Sequence, residues 1–253
     1  MSDIEPGLPQ DSLHQQLTDN SKSAFARYQD LALGSNSFWY LIKYELIMLL
    51  TSWVPGALGL VLRKIFYPRL LAKVGSNVIF GQGVAIRHGP KISIGNGVVI
   101  DDGAVLDAKG GSNAGIVIGD NTILSRNVVL SCKNGDISIG AGCTLGISTL
   151  VHAMQGSNVS IGDKVLIGAF SYFIGNGPYV SDDLAVPFKE QGTQSLGGVK
   201  VADNVWIGSN VQVFDGVSIG SGSIVGASTV VNKSVDELSV VAGVPMKLIK
   251  KRT

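Results

Sequence analysis

The chain has 253 residues, 45% of them hydrophobic and 15% charged, with a formal net charge of +1. That balance allows a large buried core and predicts no polyanion partner, and no nucleic-acid-binding motif is present. The two cysteines, Cys132 and Cys143, form no CxxC pair and no zinc spacing, so they read as buried thiols of a reducing compartment.

Residues 1–35 begin as a polar stretch with two prolines and are expected to be mostly a disordered tail. A short helix is expected around Ala24 to Leu33, ending near Gly34. Met1 to Gln16 carries no apolar run, which argues against a signal peptide and for a cytoplasmic location.

Residues 36–73 differ in character. Leu46 to Leu62 is uncharged over 17 residues and is broken by Pro55, Gly56 and Gly59. A spanning helix needs about 20 apolar residues, so two helices between Phe38 and Leu71, meeting at Pro55-Gly56, are expected. Arg63, Lys64, Arg69 and Lys73 follow the run. Two readings stand side by side: a cap over the end of a repeat domain, or an apolar surface lying on the inner face of a membrane.

From Val74 to Val241 the sequence repeats with a period near six. Aliphatic-Gly steps fall at Ile94, Ile118, Ile139, Ile161, Ile167, Ile174, Ile207, Ile219 and Val225. Six is too long for strand alternation and does not fit a helix face. It fits a solenoid in which each hexapeptide is one short strand and a turn, with an aliphatic side chain pointing inward. Ile94, Ile118, Ile139, Ile161, Ile167, Ile207, Ile219 and Val225 are therefore expected in the core. The period lapses over about 176–199, NGPYVSDDLAVPFKEQGTQSLGGV, and a structureless stretch of that length is usually functional. Residues 242–253 read as a turn and a short basic helix.

Three features together, the hexapeptides, the ejected loop and the ending SVVAGVPMKLIKKR, resemble the hexapeptide-repeat acyltransferases. The nearest likeness is to the O-acetyltransferases of sugars, polysaccharides and xenobiotics. It is strongest over Gly192 to Arg252 and is not carried by residues 1–35. The resemblance implies a mainly β fold, a left-handed parallel β-helix, assembled as a homotrimer with clefts between neighbouring rods. It further implies acetyl-CoA as co-substrate, a glycan or lipid-linked hydroxyl as acceptor, and no metal. Carried over by position, Gly208, Ser209, Gly226, Ala227 and Ser228 would line the pantetheine cleft. Lys233, Lys247 and Lys250 would meet the nucleotide phosphates. The same glycines also serve as plain corners, which every coil requires, and the same lysines as a solvated end.

The base is where the chain departs from that family. The family's loop His, expected in a stretch like GGxH, is replaced by Gly175-Asn176-Gly177-Pro178-Tyr179. A hydroxyl attacking a thioester needs its proton removed as the bond forms. His88 is expected far along the rod, and His14 in the tail. His152, just before the loop, is the candidate base, with Asp182 and Asp183 as carboxylate alternatives. Without the loop His, a catalytically degenerate binding or scaffold subunit is the competing reading. A three-His zinc site is excluded, because His88 and His152 lie about four coils apart.

Overall fold

The computed structural model describes residues 21–253; the expectations for residues 1–20, His14 among them, lie outside the described residues. From Lys73 onward each turn of chain adds one short strand to each of three sheets, which hold seven, nine and seven strands. The first sheet runs from Lys73–Val74 to Ser218–Ile219, the second from Ile79–Phe80 to Lys247–Lys251, and the third from Ala85–Arg87 to Val230–Val231. Neighbouring strands in each sheet come from successive coils and pair in parallel, apart from the last pair of the second sheet. The molecule is a left-handed parallel β-helix of about eight coils.

Two-residue and three-residue strands alternate buried and exposed positions, as in Ile116–Ile118. All eight aliphatic positions expected inside are buried, none more than 2% exposed. Cys132 and Cys143 are free and buried, and burial pushes the Cys132 thiol up to about 12.

The part of the N-terminal tail among the described residues is not loose. Helix α1 (Ala24–Tyr28) continues into a π-helical turn, Gln29–Leu33, which Gly34 closes with φ +63. Ala32 and Leu33 are buried in the core, and His88 Nε2 donates to the Asp30 carbonyl over 2.9 Å. The short helix expected around Ala24 to Leu33 is thus present, while the polar stretch expected to be disordered lies almost wholly outside the described residues.

Helix α2 (Phe38–Thr51) starts at Ser37, whose hydroxyl accepts from the Tyr40 amide, and α3 (Gly56–Phe66) follows the break at Pro55. Both sit on the open N-terminal end of the solenoid. The first coil has no coil below it, so its carbonyls would be buried without partners. Arg63, 1% exposed, donates to Phe80 O; Tyr67 OH donates to Val84 O and Tyr44 OH to Ile86 O. A side chain at Gly59 would collide with Val54 O and with the Arg63 guanidinium, so glycine keeps that path open. The hairpin is thus a cap, and no helix among the described residues is long and apolar enough to cross a membrane.

The C-terminus corrects one expectation. Lys247–Lys251 is not a basic helix but a strand, antiparallel to Ser239–Ala242, reached through a turn at Gly243 with φ +97. The last parallel strand leaves an unpaired edge, and covering it gains backbone hydrogen bonds that a solvated five-residue helix would not make.

Candidate active site

Each coil turns from the second sheet into the third at a small corner. The middle residues of these corners stack in a column: Gln82, Asp102, Arg126, Ile147, Ala169, Ser209, Ala227. In the first coil the corner amide is capped from the next coil, Gln82 N donating to Asp102 Oδ1 over 2.6 Å. The corner between the first and second sheets repeats this device, with Asn96, Ala141 and Asp163 amides donating to Asp120, Asp163 and Asp203. Where the column turns to Ile147, Ala169, Ser209 and Ala227, no carboxylate is available. Among the described residues, the amides of Arg126, Ile147, Ala169, Ser209 and Ala227 have no protein acceptor. They form a row of solvent-facing amide donors along the edge of the rod.

The five expected cleft residues come together at this corner. Asn210 Nδ2 donates to Ser228 Oγ over 3.2 Å, and Ser228 N donates to Ser209 O over 2.9 Å. A Cβ on Gly208 would lie 2.5 Å from Ala227 N, so the glycine is required by coil stacking whatever else it does. Lys233 and Lys247 meet elsewhere, lining a cavity of about 390 Å³ at the C-terminal end with Ser234, Asp236 and Met246. Lys250 lies exposed on the last strand, opposite Val240 and outside that cavity lining.

His152 stands on the third sheet, in the strand Leu150–Met154, two strands before the one that follows the Ser209 corner. One register line carries Arg87, Asp107, Ser131, His152 and Ile174 across adjacent strands. Asp107 is therefore about 10 Å from His152, two strand spacings away, too far to orient its ring. Asp107 is instead drawn toward Arg87, 3.7 Å away, and burial raises its pKa.

The structure alters the expectation for His152 itself. Burial first, and the Lys133 ammonium second, lower its pKa from 6.5 to about 4, against an opposing contribution from the Ser131 backbone. The ring is neutral through the neutral range. Its proton is bound by the unfolded chain at pH values where the folded chain refuses it. The stabilisation is complete above pH 6.5 and is lost as pH falls toward 4, a loss of roughly 3 kcal/mol. His88, lowered by its own burial, acts in the same direction. Melting midpoints of His152→Gln should therefore decline less between about pH 7 and pH 4 than those of the unmodified chain. An equally steep decline would assign the acid sensitivity to other groups.

The ejected loop leaves the third sheet after Tyr172–Gly175, the strand beside His152. Its base is an antiparallel clasp: Val180 N donates to Gly192 O and Gln194 N to Pro178 O. Asp182 and Asp183 are exposed on it, and the loop uses Asp183 for its own turn, Oδ1 accepting from Ala185 N. Neither carboxylate is brought to His152 by any recorded contact. At the loop's root, where the resemblance places a His, Asn176 has a buried Oδ1 without a partner.

Sequence pattern does not single out Asp215, whose Asp-Gly reads as one more turn. The residue is 7% exposed and pins the returning end of the loop, accepting from Ser157 Oγ, Leu196 N and Gly198 N. Only the long gap between periods hints that such an anchor is needed.

The family model for the bacterial transferase hexapeptide, six repeats, matches residues 198–233. The chain is a left-handed β-helix, and that part of it matches the hexapeptide model. No curated protein matches. Among solved structures, a point mutant of AntD, an N-acyltransferase from Bacillus cereus, in complex with dTDP-4-amino-4,6-dideoxyglucose and coenzyme A, is 25% identical. That likeness covers 80% of this chain and 91% of that one, with a TM-score of 0.51. AntD in complex with dTDP and 3-hydroxybutyryl-CoA is 21% identical over the same shares, with a TM-score of 0.54. The polySia specific acetyltransferase NeuO is 21% identical over 72% of this chain and 78% of that one, with a TM-score of 0.52. At 21% identity the last two likenesses speak to the fold alone.

Proposed function

We propose that this chain is an acyl-CoA-dependent O-acyltransferase. It transfers acetyl from acetyl-CoA to a hydroxyl of a glycan or lipid-linked acceptor at the inner face of a membrane, working as a homotrimer. The observation that carries this reading is the row of uncapped amides at Ala169, Ser209 and Ala227. The pantetheine arm is a chain of amides whose carbonyls need such donors, and a carboxylate cap would both block and repel it. The likeness to AntD, an N-acyltransferase whose structure holds coenzyme A, supports the acyl-CoA-dependent part of the reading.

In this reading the acceptor oxygen attacks the thioester carbonyl while His152 takes its proton. A backbone N–H holds the developing oxyanion. The C–S bond then breaks, and the thiolate recovers the proton from the imidazolium. Lys233 and Lys247, which line the cavity at the C-terminal end of the rod, would receive phosphate charge, and Lys250, outside that lining on the last strand, would add to the positive field. The scaffold alternative rests on Asn176-Gly177 standing where the resemblance places a His.

The corner itself supplies the test. Ala227→Asp copies the cap that Asp203 gives to the Asp163 amide, so it should leave the melting midpoint unchanged or raise it. By occupying the Ser209 amide and adding a negative charge, it should weaken acetyl-CoA binding at least about tenfold in calorimetry. Unchanged affinity would remove this corner as the CoA edge. Binding to the unmodified chain without turnover on any hydroxyl acceptor would favour the scaffold.

A further inference from the structure

The cap hairpin has a second face that the fold does not use. Leu41, Tyr44 and Ile47 of α2 are buried against the solenoid, while Trp39, Leu46, Leu49 and Trp53 point away, 78%, 52%, 67% and 65% exposed. On α3, Arg63 is buried while Leu58 and Val61 are 66% and 53% exposed. Contiguous apolar surface of this kind is rare on a monomer in water and marks an interaction site.

The charges around it narrow the partner. Residues 36–73 hold four exposed cations, Lys43, Lys64, Arg69 and Lys73, and one acid, Glu45. Glu45 is engaged by the Tyr28 hydroxyl. A two-fold pairing with a second copy would bring this net-positive patch against an identical net-positive patch. An anionic bilayer has the opposite need: apolar side chains sink to the acyl boundary while lysines and arginines remain at the headgroups. The helices have 14 and 11 residues, about 21 and 16 Å long at 1.5 Å per residue. Both are shorter than a bilayer core of about 30 Å.

We infer that the outer face of the α2–α3 hairpin docks this protein flat on an anionic lipid surface, with the N-terminal end of the rod against the membrane. The hairpin therefore has one face for each job, the inner sealing the solenoid and the outer entering the interface. This inference stands without the acyl-transfer reading, because it uses none of the corner or loop residues.

The experiment is flotation of the full chain with phosphatidylcholine vesicles, with and without about one-third phosphatidylglycerol, at roughly 0.1 M salt. Most of the protein should float with the anionic vesicles and little with the neutral ones. Trp39→Ser/Leu49→Ser/Trp53→Ser/Leu58→Ser together should cut the floated fraction at least about tenfold. Lys43→Gln/Lys64→Gln should clearly weaken the preference for phosphatidylglycerol, with Arg69 and Lys73 still in place. The quadruple variant keeps the inner face, so its melting midpoint should be unchanged. Lys43→Gln also gives up the Lys43 Nζ donation to Arg69 O, so a small fall is expected of the double variant, and acetyl-CoA binding should not move in either. Failure of the unmodified chain to float would overturn the inference, as would equal flotation of the quadruple variant. So would a fall in solution mass in that variant without any vesicle binding, which would make the face a protein interface. Loss of acetyl-CoA turnover with flotation intact would count against the acyl-transfer reading alone.

Discussion

Replacing Arg63 with methionine should lower the stability of the chain by roughly 3 kcal/mol, although no substrate or partner contact is touched. Methionine fills much of the same volume, so the loss comes from the guanidinium. Nε donates to Phe80 O over 2.9 Å, and Nη1 to Thr51 O over 3.0 Å and Val54 O over 2.8 Å. Among the described residues no carboxylate pairs with it. Removing it leaves buried carbonyls without donors, at about 1–3 kcal/mol each, offset in part by no longer burying a charge. For a chain of this size that is a fall of about 6–12 °C in the melting midpoint. Arg63→Lys should fall between the two, since an ammonium keeps the charge but not the planar fork. A midpoint unchanged in Arg63→Met would mean that the cap does not hold the rod's end. The same contacts make removal of residues 1–73 a poor probe of the outer face, because it would also strip the first coil of its partners.

The solenoid is legible in the sequence because its signal is redundant. Every coil repeats an aliphatic residue before a small corner, so Ile207 and Ile219 can be placed inward without knowing any partner. The helix break at Pro55 and the loop between Gly175 and Val199 are legible for the same kind of reason, a local pattern starting or stopping. The role of Arg63 is not, since its acceptors are main-chain oxygens at residues 51, 54 and 80, which carry no sequence identity. Lys247–Lys251 reads as a helix by composition, yet its state is decided by an open sheet edge at Ser239–Ala242. The uncapped amides belong to a third kind. Their sign is what is absent, an Asp at the corner position of Ala169, Ser209 and Ala227, and it acquires meaning only beside the capped corners of other coils. At His152, strand alternation gives the outward direction but not the burial, and the burial sets its pKa.

For catalysis, His152→Ala is expected to lower the rate of acetyl transfer by roughly two to four decades, with acetyl-CoA affinity nearly unchanged. The argument has two parts. His152 stands beside the strand from which the loop departs, on the sheet that the Ser209 and Ala227 corners lead into. Its ring is also held neutral, because burial and Lys133 disfavour the cation, so it is free to accept a proton across the whole neutral range. The same environment opposes the imidazolium that forms, making it a weaker base than an ordinary His. The proton must therefore pass late, as the acceptor's negative charge develops next to the ring. This gives the proposal its own signature: kcat/KM should fall on the acid side with an apparent pKa near about 4, not near 6.5. Asp183→Ala should cost far less, since its carboxylate is committed to the loop's own turn with Ala185, and Asp182→Ala should behave alike. An acid limb near 6.5 that survives in His152→Ala would move the base to another group. A rate in His152→Ala equal to that of the unmodified chain would exclude the ring altogether.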